Sequence, residues 1–251
     1  MDPFALTCDA LRYVPRPASE AALAGLEAAL ASGRSCALSG PPGIGKTELL
    51  RVLEARLAER VRSVWVPYGA LEPADFLRLV LGLMGCSTGA EEDPALALAE
   101  LAQRQAANGR PLLLLLDDAH VIPLATVRRL VALAAERGDA LRLAAAVADD
   151  ARAARVLAAL GRGVAHVRFA SAMSEAETER YVAARLAHAG APPEAVAKLG
   201  PDTVRWLHRE SAGIPRRVHQ LAGWLLHRDD PVPDTTASLA ASGPALELDR
   251  S

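Results

Sequence analysis

The chain has 251 residues, of which 51% are hydrophobic and 23% are charged. This composition is typical of a globular protein with a substantial core, and it excludes wholesale disorder. Lysine and arginine together number 28 against 30 aspartates and glutamates, so the formal net charge is -2. A balance so close to neutral argues against a protein that coats nucleic acid through bulk charge, although one face can still be basic.

The first half of the chain begins with an irregular lead-in, residues 1–18, and continues into segments with helical and strand periodicity. Ser19 followed by Glu20 is typical of a helix start, and Asn108 followed by Gly109 is typical of a helix end. The elements predicted in this half are helix 19–32, strand 35–39, helix 47–61, strand 64–66, helix 73–83 and helix 94–107.

The second half of the chain adds three strands and then changes to helices alone. Its run of five leucines at 112–116 is typical of a strand buried in a parallel sheet. The predicted elements are strand 112–116, helix 124–137, strand 141–147, helix 151–160 and strand 164–169, followed by helices 175–189, 193–198, 202–212 and 215–227.

Strands that alternate with helices predict an α/β fold in which helical crossovers join parallel strands. We therefore expect a three-layer αβα core at residues 19–172 and a small all-helical lid domain at 173–228, with the lead-in close to the functional site. Residues 229–251 are rich in Pro, Ala, Ser, Thr and Asp and have no sustained period, so we expect a disordered tail there.

Residues 40–47 match the phosphate-binding pattern G-x-x-x-x-G-K-[ST] at every required position, between a predicted strand and a predicted helix. Such a loop turns backbone N–H groups toward phosphate oxygens, and the start of the next helix adds its positive end. We expect Lys46 to reach the β- and γ-phosphates and the Thr47 hydroxyl to ligate Mg²⁺. The motif thus predicts a P-loop NTPase core that binds ATP with Mg²⁺. The residues predicted to bind nucleotide here are Gly40, Pro41, Pro42, Gly43, Ile44, Gly45, Lys46, Thr47 and Glu48.

Two carboxylates, Asp117 and Asp118, follow the leucine strand directly. A carboxylate at the end of a buried strand costs folding free energy unless it faces a metal ion or the mouth of a site. Asp117 is therefore the predicted Mg²⁺ ligand, and Asp118 is predicted to polarise the attacking water, a task usually assigned to glutamate. His120 is either a polar residue at the edge of the site or a helix-entry residue.

The three cysteines, Cys8, Cys36 and Cys86, are too few and too scattered for a disulfide framework or a metal site. We expect free thiols in a reducing compartment. The N-terminus lacks the pattern of a secretory signal, and the longest apolar run is far shorter than the roughly 20 residues of a membrane span. These features predict a cytoplasmic protein without a direct membrane span.

Several segments together resemble the AAA+ ATPases of the ExeA/GspA general secretion type. Many families share the P-loop. The opening segment and the Gly-Ile-Pro-Arg box, in this order along the chain, narrow the choice of family. The resemblance runs from about residue 2 to 228. Relatives include the TniB-like ATPases of transposition. The segments that carry it are Asp2-Pro-Phe-Ala-Leu-Thr7 with Tyr13, the helix at 19–30, the P-loop, the Asp-Asp-Ala-His box and Gly213-Ile-Pro-Arg216.

The resemblance implies two sensor residues near the γ-phosphate. Arg216, at the start of a helix of an AAA+ lid domain, matches the sensor-2 arginine, with Arg217 beside it as a rival. Sensor 1 is often Asn at the end of the strand 141–147, but the one Asn of this chain, Asn108, lies elsewhere and Asp149 is nearest the expected position. An acid there, and Asp118 in place of glutamate, argue for slow hydrolysis.

The resemblance also implies a homo-oligomer on ATP binding, in which a neighbouring subunit supplies an arginine finger. Arg162 is the first candidate, and Arg155 and Arg168 are alternatives. In relatives the opening segment lines the adenine pocket, which here implies roles for Phe4, Leu6, Tyr13 and Pro15.

Three functions follow. The first is an AAA+ ATPase that hydrolyses Mg-ATP to assemble or remodel a protein partner in secretion or cell-envelope biogenesis. The second is a scaffold or switch that binds ATP and turns it over slowly. The third is a DNA-associated regulator of the transposition kind, which needs a basic track that the net charge makes improbable. The arginines available for such a track are Arg128, Arg129, Arg205, Arg209 and Arg217.

Overall fold

The structure, a computed structural model, describes residues 3–5, 10–66, 69–86, 89 and 92–227. The predicted tail at 229–251 and the lead-in residue Leu6 lie outside the described residues. No helix of the described part is long and apolar enough to cross a membrane.

Within the described residues, five parallel strands form one sheet in the order β2-β3-β4-β1-β5. Because all strands run the same way, their carboxyl ends share one edge of the sheet, and β1 lies between β4 and β5 near one side. The strands are β1 Cys36–Ser39, β2 Arg62–Val66, β3 Leu112–Leu116, β4 Leu141–Val147 and β5 Ala165–Arg168.

Helices cover both faces of the sheet and explain why β3 is leucine at every position. Leu112, Leu114 and Leu116 pack into the core beneath α3 to α6, whereas Leu113 and Leu115 pack into the core beneath α1 and α2. Alternate side chains of a strand point to opposite faces, so a strand covered on both sides is apolar throughout. The helices are α1 Pro17–Ala31, α2 Lys46–Leu57, α3 Pro73–Leu83, α4 Pro94–Ala107, α5 Leu124–Arg137 and α6 Ala151–Leu160.

The remaining four helices pack together around a core of their own. Their bounds are α7 Glu175–His188, α8 Pro193–Lys198, α9 Pro201–Ser211 and α10 Pro215–Leu226. The predicted α/β class, a three-layer αβα core with a parallel sheet followed by a helical part, is therefore confirmed.

The start of α1 differs from the prediction. Ser19 was expected to cap this helix, but α1 begins at Pro17 with Arg16 as its N-cap, and Ser19 lies inside the first turn. Proline has no N–H to lose at the first helical position, and its fixed φ angle suits that position. The Ser19 side chain instead accepts a hydrogen bond from the Arg16 backbone N–H at 3.1 Å.

Candidate functional site

The loop between β1 and α2 has a backbone that requires glycine. Gly43 and Gly45 have φ angles of +76° and +108°, which L-residues with a side chain rarely adopt. A Cβ atom on Gly40 would lie 1.9 Å from the carbonyl oxygen of Phe169, so this position also excludes a side chain. The loop is thus shaped by its glycines and held against the end of β5.

Lys46 begins α2 and is only 8% exposed. Its ammonium group donates hydrogen bonds to the carbonyl oxygens of Gly40 at 2.9 Å and of Pro41 at 3.0 Å. Burial lowers the pKa of Lys46, and the charges of Asp118 and Asp117 oppose that effect. The loop therefore holds its cation inward, next to two carboxylates.

Asp117 lies at the carboxyl edge of the sheet, directly after β3. Burial raises the pKa of Asp117, and the charge of Asp118 raises it further, whereas a hydrogen bond with Thr47 lowers it. The Thr47 hydroxyl and the Asp117 carboxylate therefore lie near each other, and both are the hard oxygen donors that Mg²⁺ prefers. A carboxylate disfavoured by burial is stabilised by a cation, so these two residues fit Mg²⁺.

The described residues contain no group of three or more His, Cys, Asp or Glu side chains that could hold a metal ion. Mg²⁺ usually binds through one or two protein ligands and keeps waters or substrate phosphates as the others. A site of Thr47 and Asp117 beside a phosphate-binding loop is of that kind.

Asp118 adopts a left-handed backbone conformation, with a φ angle of +45°, and its side chain is exposed. Its backbone N–H donates to Oδ1 of Asp117 at 3.1 Å. Nδ1 of His120 lies 3.9 Å from Oδ1 of Asp118, and this nitrogen is buried without a hydrogen-bond partner among the described residues. The strained turn after β3 therefore directs one acid to the buried side and presents the other to solvent.

Arg216 meets the P-loop directly. Its backbone N–H donates to the carbonyl oxygen of Gly43 at 3.2 Å, and a Cβ atom on Gly43 would lie 2.8 Å from Cβ of Arg216. The Arg216 charge also contributes to lowering the pKa of Lys46. The preceding turn depends on Gly213, where a Cβ atom would lie 2.1 Å from the carbonyl oxygen of Met173. Arg217, the rival candidate, occupies the next position of α10, and the side chains of both arginines are exposed.

Asp149, predicted nearest to the sensor-1 position, follows β4 at the same edge of the sheet. Its carboxylate forms an ion pair with Arg168 at 3.2 Å, and both side chains are largely exposed. Arg168, one of the alternative finger residues, is therefore engaged within its own chain beside the loop.

Arg162 is exposed in the turn between α6 and β5. Arg34, just before β1, donates from Nε to the carbonyl oxygen of Gly163 at 3.4 Å, so this turn lies at the amino edge of the sheet, opposite the P-loop. Arg155 is exposed on α6. The structure thus places Arg162 away from the P-loop of its own chain.

A small cleft of about 20 Å³ adjoins the P-loop. Of the lead-in residues expected in an adenine pocket, only Tyr13 lines it among the described ones. Phe4 is instead 3% exposed in the core of the C-terminal helices, with its ring 5.7 Å from that of His219. A large aromatic side chain gains more from that closed apolar core than from an open cleft. The cleft is lined by Tyr13, Val14, Arg16, Ser19, Ile44, Gly45, Glu48, Leu49, Phe169, Met173, Tyr181 and Pro215.

Two arginines of this region were not anticipated from the sequence. Arg16 lines the cleft, and Arg185 is 2% exposed on α7, where its guanidinium donates to the carbonyl oxygens of Pro3 at 3.0 Å and Ala5 at 3.4 Å. No sequence pattern distinguishes Arg16 from the many other arginines of the chain. Only the apolar neighbours of Arg185 on the helix, Val182 and Leu186, indicate that it lies on a buried face.

Comparison with known proteins supports the same fold. A family model described as AAA domain matches residues 30–154. No curated protein matches the chain. Among solved structures, Cdc6p from Pyrobaculum aerophilum is 20% identical with a TM-score of 0.64, and the alignment covers 90% of this chain and 64% of that one.

Two further structures broaden the comparison. The Aeropyrum pernix ORC1 protein, solved in complex with DNA, is 18% identical with a TM-score of 0.62, covering 92% of this chain and 66% of that one. The Thermotoga maritima RuvB Holliday junction branch migration motor is 15% identical with a TM-score of 0.54, covering 85% and 64%.

The chain thus spans less than two thirds of the length of Cdc6p or ORC1, and at such identities the similarity concerns the fold alone. The family match and the loop geometry agree: residues 30–154 of this chain are similar to an AAA domain, and they contain the P-loop.

Proposed function

We propose that this protein binds and hydrolyses Mg-ATP and uses the cycle to assemble or remodel a partner complex. The observation that carries the proposal is the glycine-shaped loop that buries Lys46 close to Asp117 and Asp118. A hydroxyl, a carboxylate and an ammonium group converge there on a backbone shaped for phosphate.

The chemistry is in-line attack of water on the γ-phosphorus, which depends on positioning and charge stabilisation. Lys46 leaves the carbonyl oxygens of Gly40 and Pro41 and donates to the β- and γ-phosphates. Asp118, exposed beside Asp117, orients the water and accepts its proton. Thr47 and Asp117 hold Mg²⁺, which when bound stabilises negative charge on the phosphate oxygens.

Arg216 joins this site from α10. Because its backbone is hydrogen-bonded to Gly43, its guanidinium belongs to the surroundings of the phosphates and serves as the sensor-2 group. Binding and release of nucleotide then change how the C-terminal helices pack on the loop, which couples the cycle to a partner. Arg162 acts in this scheme as the trans-acting finger of a homo-oligomer.

Two separate arguments bear on the class of partner, and they favour different classes. The opening segment and the Gly-Ile-Pro-Arg box favour a protein of a secretion or envelope complex, as in the ExeA/GspA type. The fold of ORC1, which was solved with DNA, and of the RuvB motor favours a DNA-associated role. Against the latter, Arg128 and Arg129 lie on α5 and the other candidate arginines lie on α9 and α10, so no single element carries the basic track.

Calorimetric titration of ATP into the protein with Mg²⁺ tests the nucleotide assignment. We expect saturable binding by the wild type and a loss of about tenfold or more in affinity for Lys46→Ala, because a charge-assisted contact to phosphate is removed. Absence of ATP binding by the wild type would reject the proposal. A shift of duplex DNA that requires ATP and weakens with salt would select the DNA-associated role over the secretion role.

A further inference from the structure

The turn that follows β3 holds a histidine close to the acid that is proposed to orient water. This turn runs from Asp118 into a short 3₁₀ helix, Ala119–Val121, and the backbone N–H of Val121 donates to the carbonyl oxygen of Asp118 at 2.9 Å. Ala119 is 1% exposed and packs into the core beneath α3 to α6. The core and the turn thus fix the two points from which the Asp118 and His120 side chains project.

One ring nitrogen of His120 has no hydrogen-bond partner among the described residues. This nitrogen, Nδ1, is buried, although the side chain as a whole is 19% exposed. Oδ1 of Asp118 lies 3.9 Å from it, about 1 Å beyond hydrogen-bond distance. A buried polar atom without a partner is costly, and such an atom in a native fold calls for an explanation.

The Asp118 side chain is placed to supply the missing partner. It is 68% exposed, so its carboxylate can turn about the side-chain bonds without disturbing the core. The left-handed backbone at Asp118, with a φ angle of +45°, fixes where that side chain starts. A rotation that brings Oδ1 to Nδ1 of His120 leaves Oδ2 facing away from the ring. The imidazole thereby holds one carboxylate oxygen and leaves the other for water.

A second carboxylate lies near the imidazole. Asp150 caps α6 by accepting a hydrogen bond from the Ala153 backbone N–H at 2.7 Å. That hydrogen bond lowers the pKa of Asp150, and the charge of His120 adds to the effect, so the imidazole lies near the start of α6 as well. Ionised carboxylates only accept hydrogen bonds, so an imidazole between two of them is suited to donate.

We propose that His120 is a positioning residue for ATP hydrolysis, donating from Nδ1 to one oxygen of Asp118 and so directing the other oxygen at the attacking water. The inference rests on the proposed function. In the reaction the water oxygen bonds to the γ-phosphorus, the bond from that phosphorus to ADP breaks, and the water proton passes to Asp118. His120 keeps its own proton throughout. Aspartate is one methylene shorter than the usual glutamate, so its orientation matters more.

Three substitutions of His120 test this role by phosphate release over a range of Mg-ATP concentrations. Asparagine places an amide near the position of Nδ1, glutamine places it near that of Nε2, and leucine has no donor. We expect His120→Leu and His120→Gln to lose about tenfold or more in kcat and to keep KM and ATP affinity within about twofold, because the acid is misaligned while the phosphate contacts remain. His120→Asn should retain most of the wild-type rate. Val121→Ala, at an exposed position of the same turn, is the matched control and should change neither parameter.

A double variant supplies a second readout, measured in single turnover with the protein in excess over ATP. Asp118→Asn removes the carboxylate that His120 orients, so adding His120→Leu to it should slow hydrolysis no further. An independent further loss in the double variant would overturn the inference. So would a rate of His120→Asn as low as that of His120→Leu, or a loss of ATP affinity that matches the loss of rate, because either result indicates a purely structural role.

The wild type separates this inference from the proposed function. If it releases no phosphate above background, the proposed function fails and the inference falls with it. If it turns ATP over and all three His120 variants keep its rate, the proposed function stands and His120 does not position Asp118. The asparagine and glutamine variants are both polar and close to histidine in size, so their comparison decides the matter even if the leucine variant does not fold.

Discussion

Burial changes the chemistry of single side chains on the strand and loop that form the site. Cys36, on β1, is fully buried, and burial raises the pKa of its thiol to about 12. Lys46, a few residues further on, has its pKa lowered by burial, and nearby carboxylates oppose that change. A thiol with so high a pKa has essentially no thiolate at neutral pH, and the thiolate is the reactive form.

Cys36 should therefore resist alkylation while the protein is folded. We expect iodoacetamide at pH 8 to modify the half-buried Cys86 and leave Cys36 unmodified, and to modify both after unfolding in urea, as read by peptide mass spectrometry. Equal modification of the two residues in the folded protein would contradict the burial of β1.

The sequence predicted the residues that form a local pattern and missed those defined by distant contacts. The P-loop and the two aspartates after β3 are recognisable because each motif is contiguous in the chain. Arg185 contacts Pro3 and Ala5, which lie 182 and 180 residues earlier in the chain, and Phe4 packs against the similarly distant His219. Such pairs have no spacing or periodicity to indicate them.

At the scale of elements, the decisive contact is that of α10 with the P-loop. The bounds of the helices and strands follow from hydrophobic period and from Pro and Gly at their ends. The order β2-β3-β4-β1-β5 does not, because pairing between strands far apart in sequence leaves no local trace. That order makes β3, β4 and β1 neighbours, so their carboxyl ends lie side by side, and α10 reaches Gly43 from the C-terminal helices.

Gly43→Ala tests this contact, with Gly85→Ala as the matched control. Both glycines have nearly equal φ angles, +76° and +75°, but a Cβ atom on Gly85 would meet nothing within 4 Å. We expect both variants to lose about 1–2 kcal/mol of unfolding free energy in urea, because alanine is disfavoured in the left-handed region. Only Gly43→Ala should also weaken ATP binding, because its Cβ atom displaces Arg216. Equal ATP affinity in the two variants would contradict a role for this contact.

At the scale of the whole molecule, the position of Arg162 bears on assembly. This arginine lies at the edge of the sheet opposite its own P-loop, so it can act on nucleotide only in another copy of the chain. AAA+ proteins typically complete their sites in this way, and a closed ring or dimer would place the turn before β5 against a neighbouring P-loop.

Mixing two inactive variants tests that arrangement. Lys46→Ala has a defective loop and an intact Arg162, whereas Arg162→Ala has the reverse. We expect each alone to hydrolyse ATP poorly and an equimolar mixture to regain part of the wild-type rate, because some interfaces then combine an intact loop with an intact arginine. Light scattering should show ATP-dependent assembly. A mixture no more active than its components would argue against Arg162 as the trans-acting residue.

Phosphate release under saturating Mg-ATP tests the central claim most directly, in the wild type and in Lys46→Ala and Asp118→Asn. We expect turnover by the wild type and a loss of about 100-fold or more in both variants, with ATP affinity retained by Asp118→Asn because its acid acts on water and not on the phosphates. Background turnover by a wild type that binds ATP would favour the slow scaffold. Unchanged turnover in both variants would contradict hydrolysis at this site.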